Sequence, residues 1–187
     1  MAGAMSYCTI APDHPFHGPY HAEEYGFPVL DEAALFERLV LEINQAGLSW
    51  LTILKKRESF RAAYDNFVIE RVAQYGARER ARLLGDPGII RNRLKVDAAI
   101  ENARRILAIG ESHGSFAAWL DQHHPLTKPE WIKLFKKTFA FTGGEITNEF
   151  LVSTGYLPGA HDENCPVYKQ IARLKPPWMR KRRAQPR

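Results

Sequence analysis

The chain has 187 residues, of which 45% are hydrophobic, so it is long enough to bury the core of one domain. No stretch approaches the roughly 18 to 20 apolar residues of a membrane-spanning helix, and the first ten residues lack a signal-peptide pattern, which predicts a cytoplasmic protein without membrane association. The net charge of +5 suggests an anionic partner, but six of the 26 basic residues lie among residues 175–187. Without them the net charge is −1, so charge alone does not establish nucleic-acid binding.

Apolar residues recur at helical spacing and alternating strand patterns are hard to find, which predicts an all-α fold. One helix is predicted from the N-cap Asp31 to Gly47, and the next from Ser49 to about Phe67. Further helices are predicted over residues 69–75, 78–84, 92–109, 115–122, 129–138, 145–154 and 166–174. We expect residues 1–174 to form a single helical domain and residues 175–187 to form a disordered basic tail.

Glu42 falls within the apolar stripe of the first predicted helix, together with Leu35 and Leu39. A carboxylate in such a place must find hydrogen bonds or a cation, and burial would raise its pKa. Glu42 is therefore a candidate site residue. The alternative is a glutamate at the helix edge that reaches water or pairs with Lys55 or Lys56.

Trp50 follows Glu42 at the end of a short hinge, Gln45-Ala46-Gly47-Leu48-Ser49. An indole beside a buried acid suits the binding of a planar base. On spacing alone, Trp50 is equally compatible with a place in the hydrophobic core.

Residues 86–93 form a Gly-containing turn that leads into a helix start, where several backbone N–H groups lack intrahelical acceptors. Such donors bind phosphate, and Arg91, Arg93 and Lys95 add positive charge at the same point. The segment is a candidate for sequence-independent contacts with a DNA backbone. The alternative is an ordinary αα-hairpin with solvated arginines.

Both cysteines lie within reach of a histidine in sequence, as the pairs Cys8 with His21 and His161 with Cys165. Two cysteines and two histidines form a complete tetrahedral shell for structural zinc, and such a site would join the two ends of the chain. The spacing does not match a standard zinc-finger half-site. Four other histidines offer alternative partners: His14, His17, His123 and His124.

The chain also carries three linked motifs: YHxxEYGxP from Tyr20, LExxQAGLSWLTILKKR from Leu41, and GIIRNR from Gly88, followed by Lys95 and Asn102-Ala103. Together these motifs resemble the DNA-3-methyladenine glycosylase I family. The resemblance extends over residues 8–165, with its most specific part at residues 20–57.

The resemblance implies a compact helical DNA glycosylase fold with a helix-hairpin-helix motif and a structural zinc ion that joins the termini. The family's zinc ligands match Cys8, His21, His161 and Cys165. Its base-pocket residues match Tyr20, Glu42 and Trp50, with Tyr25 standing near the pocket in place of a tryptophan. The hairpin that contacts the DNA backbone matches Gly88, Ile89, Ile90, Arg91, Arg93 and Lys95.

The implied activity is DNA repair: hydrolysis of the N-glycosidic bond of alkylated bases, chiefly N3-methyladenine, after the base is flipped out of the double helix. We expect a monomer in which Glu42 accepts hydrogen bonds from the cationic base, while activation of water by Glu42 is a less favoured alternative. Glu145 is interpreted as a charge at a helix N-terminus rather than a second pocket carboxylate.

Six positions depart from the family pattern, and these are Ile10, His17, Tyr25, Glu145, Asn148 and Val152. They mark the chain as a divergent branch whose base selectivity differs in detail. They also leave open a different class of function, in which a non-catalytic protein binds alkylated DNA through the same helical frame.

Overall fold

The structure is a computed structural model that describes residues 6–180. Between those residues it contains α-helices and two 3-10 helices, and no strand. The α-helices are α1 Tyr7–Ile10, α2 His17–Glu23, α3 Glu32–Gln45, α4 Trp50–Ala63, α5 Ile69–Ala73, α6 Ala77–Gly85, α7 Arg93–His113, α8 Phe116–His123, α9 Lys128–Thr138, α10 Gly144–Ser153 and α11 Pro166–Leu174. The 3-10 helices are Asp65–Phe67 and Pro177–Met179. The predicted all-α class is confirmed.

Helix α3 forms the centre of the molecule, and all its residues from Leu35 to Asn44 are buried. Its start is fixed by the Asp31 carboxylate, which accepts a hydrogen bond from the Ala34 N–H at 2.7 Å, as the N-cap assignment predicts. Helices α4, α7, α8 and α10 pack around it. A polar side chain between Leu35 and Asn44 is thus held inside the protein. No helix within residues 6–180 has the length and hydropathy needed to cross a membrane.

Helix boundaries differ from the predicted ones where the backbone takes left-handed conformations. Helix α4 ends at Ala63 rather than near Phe67, because residues 65–67 form a separate 3-10 helix in which all three φ angles are positive. Helix α7 extends beyond the predicted end at residue 109 and stops at Gly114, whose φ is +90°.

Residues 175–180, the first part of the predicted disordered tail, are ordered in the structure. Residues 175–180 continue from α11 and pack on the domain: Pro177 is buried, and the Trp178 N–H donates to the Gly155 carbonyl at 3.2 Å. The apolar pair Pro177 and Trp178 accounts for this packing, which the basic composition of the segment obscured. The remainder of the predicted tail, residues 181–187, lies outside the described residues.

Candidate active site

A cavity of about 240 Å³ opens between the N-terminal helices and the α3–α4 hinge. Its walls are mainly aromatic and include two carboxylates. The lining residues are Tyr7, Tyr20, Tyr25, Glu42, Gln45, Trp50 and Glu149. The sequence-predicted pocket residues Tyr20, Tyr25, Glu42 and Trp50 therefore come together in one place.

Glu42 is 4% exposed and accepts no hydrogen bond from residues 6–180. Burial is the main cause that raises the pKa of Glu42 to about 8; Arg38 opposes the rise and Glu149 adds to it. The helix-edge alternative does not hold, because Lys56 donates to the Pro87 carbonyl at 2.8 Å and Lys55 lies over the Phe16 ring.

Tyr20 is held by a buried ionic network behind the cavity. Its hydroxyl accepts a hydrogen bond from Arg38 Nη1 at 2.7 Å, and the Arg38 guanidinium also lies over the Tyr20 ring. Arg38 Nη2 donates to Glu24 at 3.1 Å, and Arg57 donates to both Glu24 and Glu37. The positive charge nearest to Glu42 is consequently shared with Glu24.

Trp50 lies at the first position of α4, where the Ser49 hydroxyl caps the helix by accepting from the Thr52 N–H at 3.2 Å. Its indole centroid is 5.2 Å from that of Tyr20, so the two rings form adjacent walls. The Trp50 indole N–H is buried and finds no acceptor within the described residues. The protein thus supplies flat π surfaces and a donor that its own groups leave unsatisfied.

Glu149 is a site residue that the sequence analysis missed. It lies on α10, where the Tyr25 hydroxyl donates to it at 3.4 Å. Glu145 stands four positions earlier on the same helix face and is exposed, as a charge in the first turn of α10 should be. Helical spacing therefore predicts that Glu149 faces water too, and only the rings packed over it from the N-terminal segment place it in the cavity.

A second cluster brings together the four predicted metal ligands, Cys8, His21, His161 and Cys165. Their ligand atoms all lie within 4.8 Å of one another. Cys8 Sγ is 3.6 Å from His161 Nδ1, and Cys165 Sγ is 3.7 Å from both His161 Nδ1 and His21 Nε2. A tetrahedral zinc ion with Cys and His ligands would set such separations at about 3.4–3.8 Å.

The imidazole of His161 is oriented by the backbone. The Tyr25 carbonyl lies 2.7 Å from His161 Nε2, and since a carbonyl can only accept, this nitrogen carries the proton. Nδ1, the atom that faces the two sulfurs, is thereby left with its lone pair. This is the outer-shell arrangement that metal-binding histidines use. The donor set thus fits a zinc ion.

The predicted hairpin is a turn of residues 86–92 between α6 and α7. The Asp86 carboxylate accepts from the Gly88 N–H at 2.7 Å and closes the turn, and a Cβ added at Gly88 would lie 2.9 Å from that of Ser59. Ile89 is buried and Ile90 packs against the core, so these two residues anchor the turn rather than face outward.

Outside the two anchoring isoleucine side chains, the hairpin presents backbone N–H groups that can donate hydrogen bonds to a ligand. The backbone N–H groups of Ile90, Arg91, Arg93 and Leu94 have no acceptor among residues 6–180. The side chains of Arg91 and Arg93 are exposed, and that of Arg93 lies 3.7 Å from Asp97. The surface is suited to an anion such as a phosphate.

Lys95 was predicted to contact the DNA backbone, and its position in the structure contradicts that prediction. It is 5% exposed, and its Nζ donates to the carbonyls of Asn44 at 2.8 Å and Ala46 at 2.6 Å. Burial lowers the pKa of Lys95. Its ammonium group caps the C-terminus of α3, where carbonyls lack intrahelical donors, and is therefore not available to a phosphate.

Comparison with known proteins agrees with this fold. The chain is 34% identical to the DNA-3-methyladenine glycosylase of Haemophilus influenzae, over 85% of this chain and 96% of that protein. It is 35% identical to DNA-3-methyladenine glycosylase 1 of Escherichia coli, over 88% and 97% of the two chains. A solved Tyr-to-Phe variant of 3-methyladenine DNA glycosylase I, in complex with 3-methyladenine, superposes with a TM-score of 0.80 at 32% identity and covers 87% of this chain and 97% of its own.

These similarities place the chain among the all-helical glycosylases. The family model described as methyladenine glycosylase matches residues 10–133. The chain belongs to the methyladenine glycosylase family, as its motifs predict.

Proposed function

We propose that this protein is a DNA repair N-glycosylase that hydrolyses the N-glycosidic bond of N3-methyladenine. The observation that carries the proposal is the buried carboxylate of Glu42 in a cavity walled by aromatic rings. The bond is inaccessible inside stacked DNA, so the damaged nucleotide must be flipped into the cavity at a cost of about a few kcal/mol. Stacking against Trp50 and Tyr20 offsets this cost.

The charge of the base decides how the cavity acts. N3-methyladenine in DNA is a cation, which departs as a neutral base without being protonated, so little acid catalysis is needed. Aromatic walls bind a cation preferentially, and an ionised Glu42 accepts its hydrogen bonds. Because the pKa of Glu42 is raised to about 8 in the empty cavity, the cationic base displaces a proton from Glu42 when it binds near neutral pH. Water then captures the oxocarbenium-like sugar.

The test is release of free 3-methyladenine from methylated duplex DNA, measured by chromatography under single-turnover conditions. The Glu42→Gln variant should release the base about ten- to a hundredfold more slowly, since one charged hydrogen-bond acceptor is lost. Glu58→Gln, which changes an exposed carboxylate on α4, is the control and should match wild type. Equal rates for Glu42→Gln and wild type would contradict the role of Glu42. Binding of methylated DNA by wild type without any release would favour the non-catalytic alternative.

We also propose that the hairpin of residues 86–93 is a helix-hairpin-helix contact with the DNA backbone, made through the unsatisfied N–H groups and Arg91. These groups position the duplex without reading its sequence.

We propose further that Cys8, His21, His161 and Cys165 bind one structural zinc ion, because their donor types, separations and outer-shell hydrogen bond all fit it. A Cys₂His₂ shell leaves no open position for substrate. The ion would supply a cross-link between the ends of the chain and take no part in the reaction.

A further inference from the structure

Glu149 is a carboxylate to which the proposed function assigns no role. It lines the same cavity as Glu42 but comes from a different helix, α10, which packs against α3. It is half-buried, and Asn148 Nδ2 donates to its Oε1 at 3.0 Å while the Tyr25 hydroxyl donates to its Oε2 at 3.4 Å. Both donors are neutral. No cation within residues 6–180 forms an ion pair with it.

The charges around the cavity do not balance. Arg38 is the cation that acts on Glu42, but it is bound to Glu24. Arg57 is likewise committed, since it pairs with Glu24 and with the buried Glu37. Glu42 and Glu149 therefore share a cavity with no cation of their own, in surroundings where an unpaired charge is costly. A positively charged ligand would remove that cost.

We propose that Glu149 is a second base-recognition carboxylate, which binds the flipped cationic purine opposite Glu42. An exocyclic amino group has two N–H donors that diverge in the plane of the ring, so that two carboxylates can each accept one. Neutral adenine carries the same amino group without the charge, so the second carboxylate increases the preference for the alkylated cation over normal adenine. This inference rests on the proposed glycosylase function and assigns part of its selectivity to α10.

The first test is binding of the 3,9-dimethyladeninium cation, which keeps the positive charge that the alkylated base has in DNA, followed by calorimetry, to wild type, Glu149→Gln and Glu149→Asp. Loss of one charged acceptor should weaken binding to Glu149→Gln by about tenfold, while binding of adenine changes less. Glu149→Asp keeps the charge and should retain more of the affinity. Glu111→Gln, on the exposed surface of α7 and outside the cavity lining, is the charge-matched control and should bind like wild type.

The second test is the pH profile of base release. The titratable or charged groups that face Glu42 are Arg38 from its own helix, Glu149 and Glu145 from α10, and the hydroxyls of Tyr20 and Tyr25. Removal of the like charge of Glu149 should lower the pKa of Glu42, so the rise of the release rate with pH should move to lower pH in Glu149→Gln. A role of Glu149 in stability alone would change the melting temperature and leave this profile in place.

These experiments distinguish a failure of the proposed glycosylase function from a failure of the role of Glu149. Absence of 3-methyladenine release by wild type would overturn the proposed function. Release by wild type together with unchanged base affinity and an unchanged pH profile in Glu149→Gln would overturn the role of Glu149 and leave the proposed function intact. Weakened binding in Glu149→Gln that is partly recovered in Glu149→Asp supports the inference.

Discussion

At the scale of single residues, Glu42 couples stability to pH. Its ordinary pKa is 4.5, whereas burial raises it to about 8 in the folded protein, so the folded state holds a proton that the unfolded state has lost between these values. The stability from this proton is fully present below about pH 4.5 and is lost as the pH rises through 8. Glu42→Gln should therefore be more stable than wild type at pH 8.5 and differ little at pH 4.5. Urea unfolding at both pH values, with Glu58→Gln as control, measures this, and equal differences at the two pH values would contradict it.

Individual residues also show what sequence patterns can and cannot predict. Glu42 was predictable because it lies in the apolar stripe of α3, and every residue from Leu35 to Asn44 is buried, so its carboxylate has no route to bulk water. The positions of Lys95 and Glu149 were not predictable from the sequence. The groups that surround them come from segments distant in sequence, Ala46 for Lys95 and Tyr25 for Glu149. Its positive charge near the start of a helix predicted that Lys95 contacts phosphate. In the structure its ammonium group instead donates to a backbone carbonyl at the C-terminus of α3.

At the scale of elements, the side chain of Asn102 links α7 to the segment that leads into α10. Asn102 is fully buried; its Nδ2 donates to the Ala140 carbonyl at 3.1 Å and its Oδ1 accepts from the Ala140 N–H at 2.7 Å. Asn102→Ala would leave both backbone groups unsatisfied and should destabilise the protein by about 2–4 kcal/mol. Thermal or urea unfolding tests this, with the exposed Asn92→Ala, which removes only a helix cap, expected to cost about 1 kcal/mol. A loss for Asn102→Ala no larger than that of the cap variant would contradict it.

The hairpin separates two kinds of basic residue. Arg91→Ala should reduce the slope of log affinity for duplex DNA against log salt by about 1 and leave stability within about 0.5 kcal/mol, because its side chain is exposed. Lys95→Met should lower stability by about 2–4 kcal/mol, because the carbonyls of Asn44 and Ala46 lose their charged donor. The salt slope of Lys95→Met should stay unchanged. Filter binding over a series of salt concentrations and urea unfolding measure the two effects, and exchanged effects would contradict the assignment.

The accuracy of the predicted elements follows the physics of helix formation. Helices α3 and α4 begin at the predicted caps Asp31 and Ser49, because side-chain capping is a local property of the sequence. The short helices α1 and α2 were not predicted, since they are held by contacts with distant segments instead of by caps. Gly26, which follows α2, makes one such contact with a distant segment. Its φ is +82°, and a Cβ added to it would lie 2.5 Å from the Cβ of Ala160.

At the scale of the whole molecule, segments near the two ends of the described residues meet beside the pocket. Cys8 and His21 come from α1 and α2, and His161 and Cys165 from the segment before α11. The same α1–α2 region supplies pocket walls, as Tyr20 is next to His21 in sequence. The pairing of two cysteines with histidines was evident in the sequence, the family motifs indicated which histidines, and the fold brings the four residues together. The proposed zinc cluster and the cavity are thus both built in part from the segment that contains α1 and α2.

Removal of the proposed zinc ion should therefore affect the stability of the entire protein. A zinc cross-link between His21 and His161 closes a loop of about 140 residues, and a covalent cross-link over such a length stabilises by about 4–5 kcal/mol. We expect one zinc ion per chain by mass spectrometry, and a fall in melting temperature of about 10 °C or more when a strong chelator removes it, restored by added zinc. Cys165→Ser should reproduce the metal-free protein, whereas His123→Gln, outside the cluster, should retain both metal and stability. Purified protein without zinc, or equal melting temperatures with and without chelator, would show that the cluster is not a metal site.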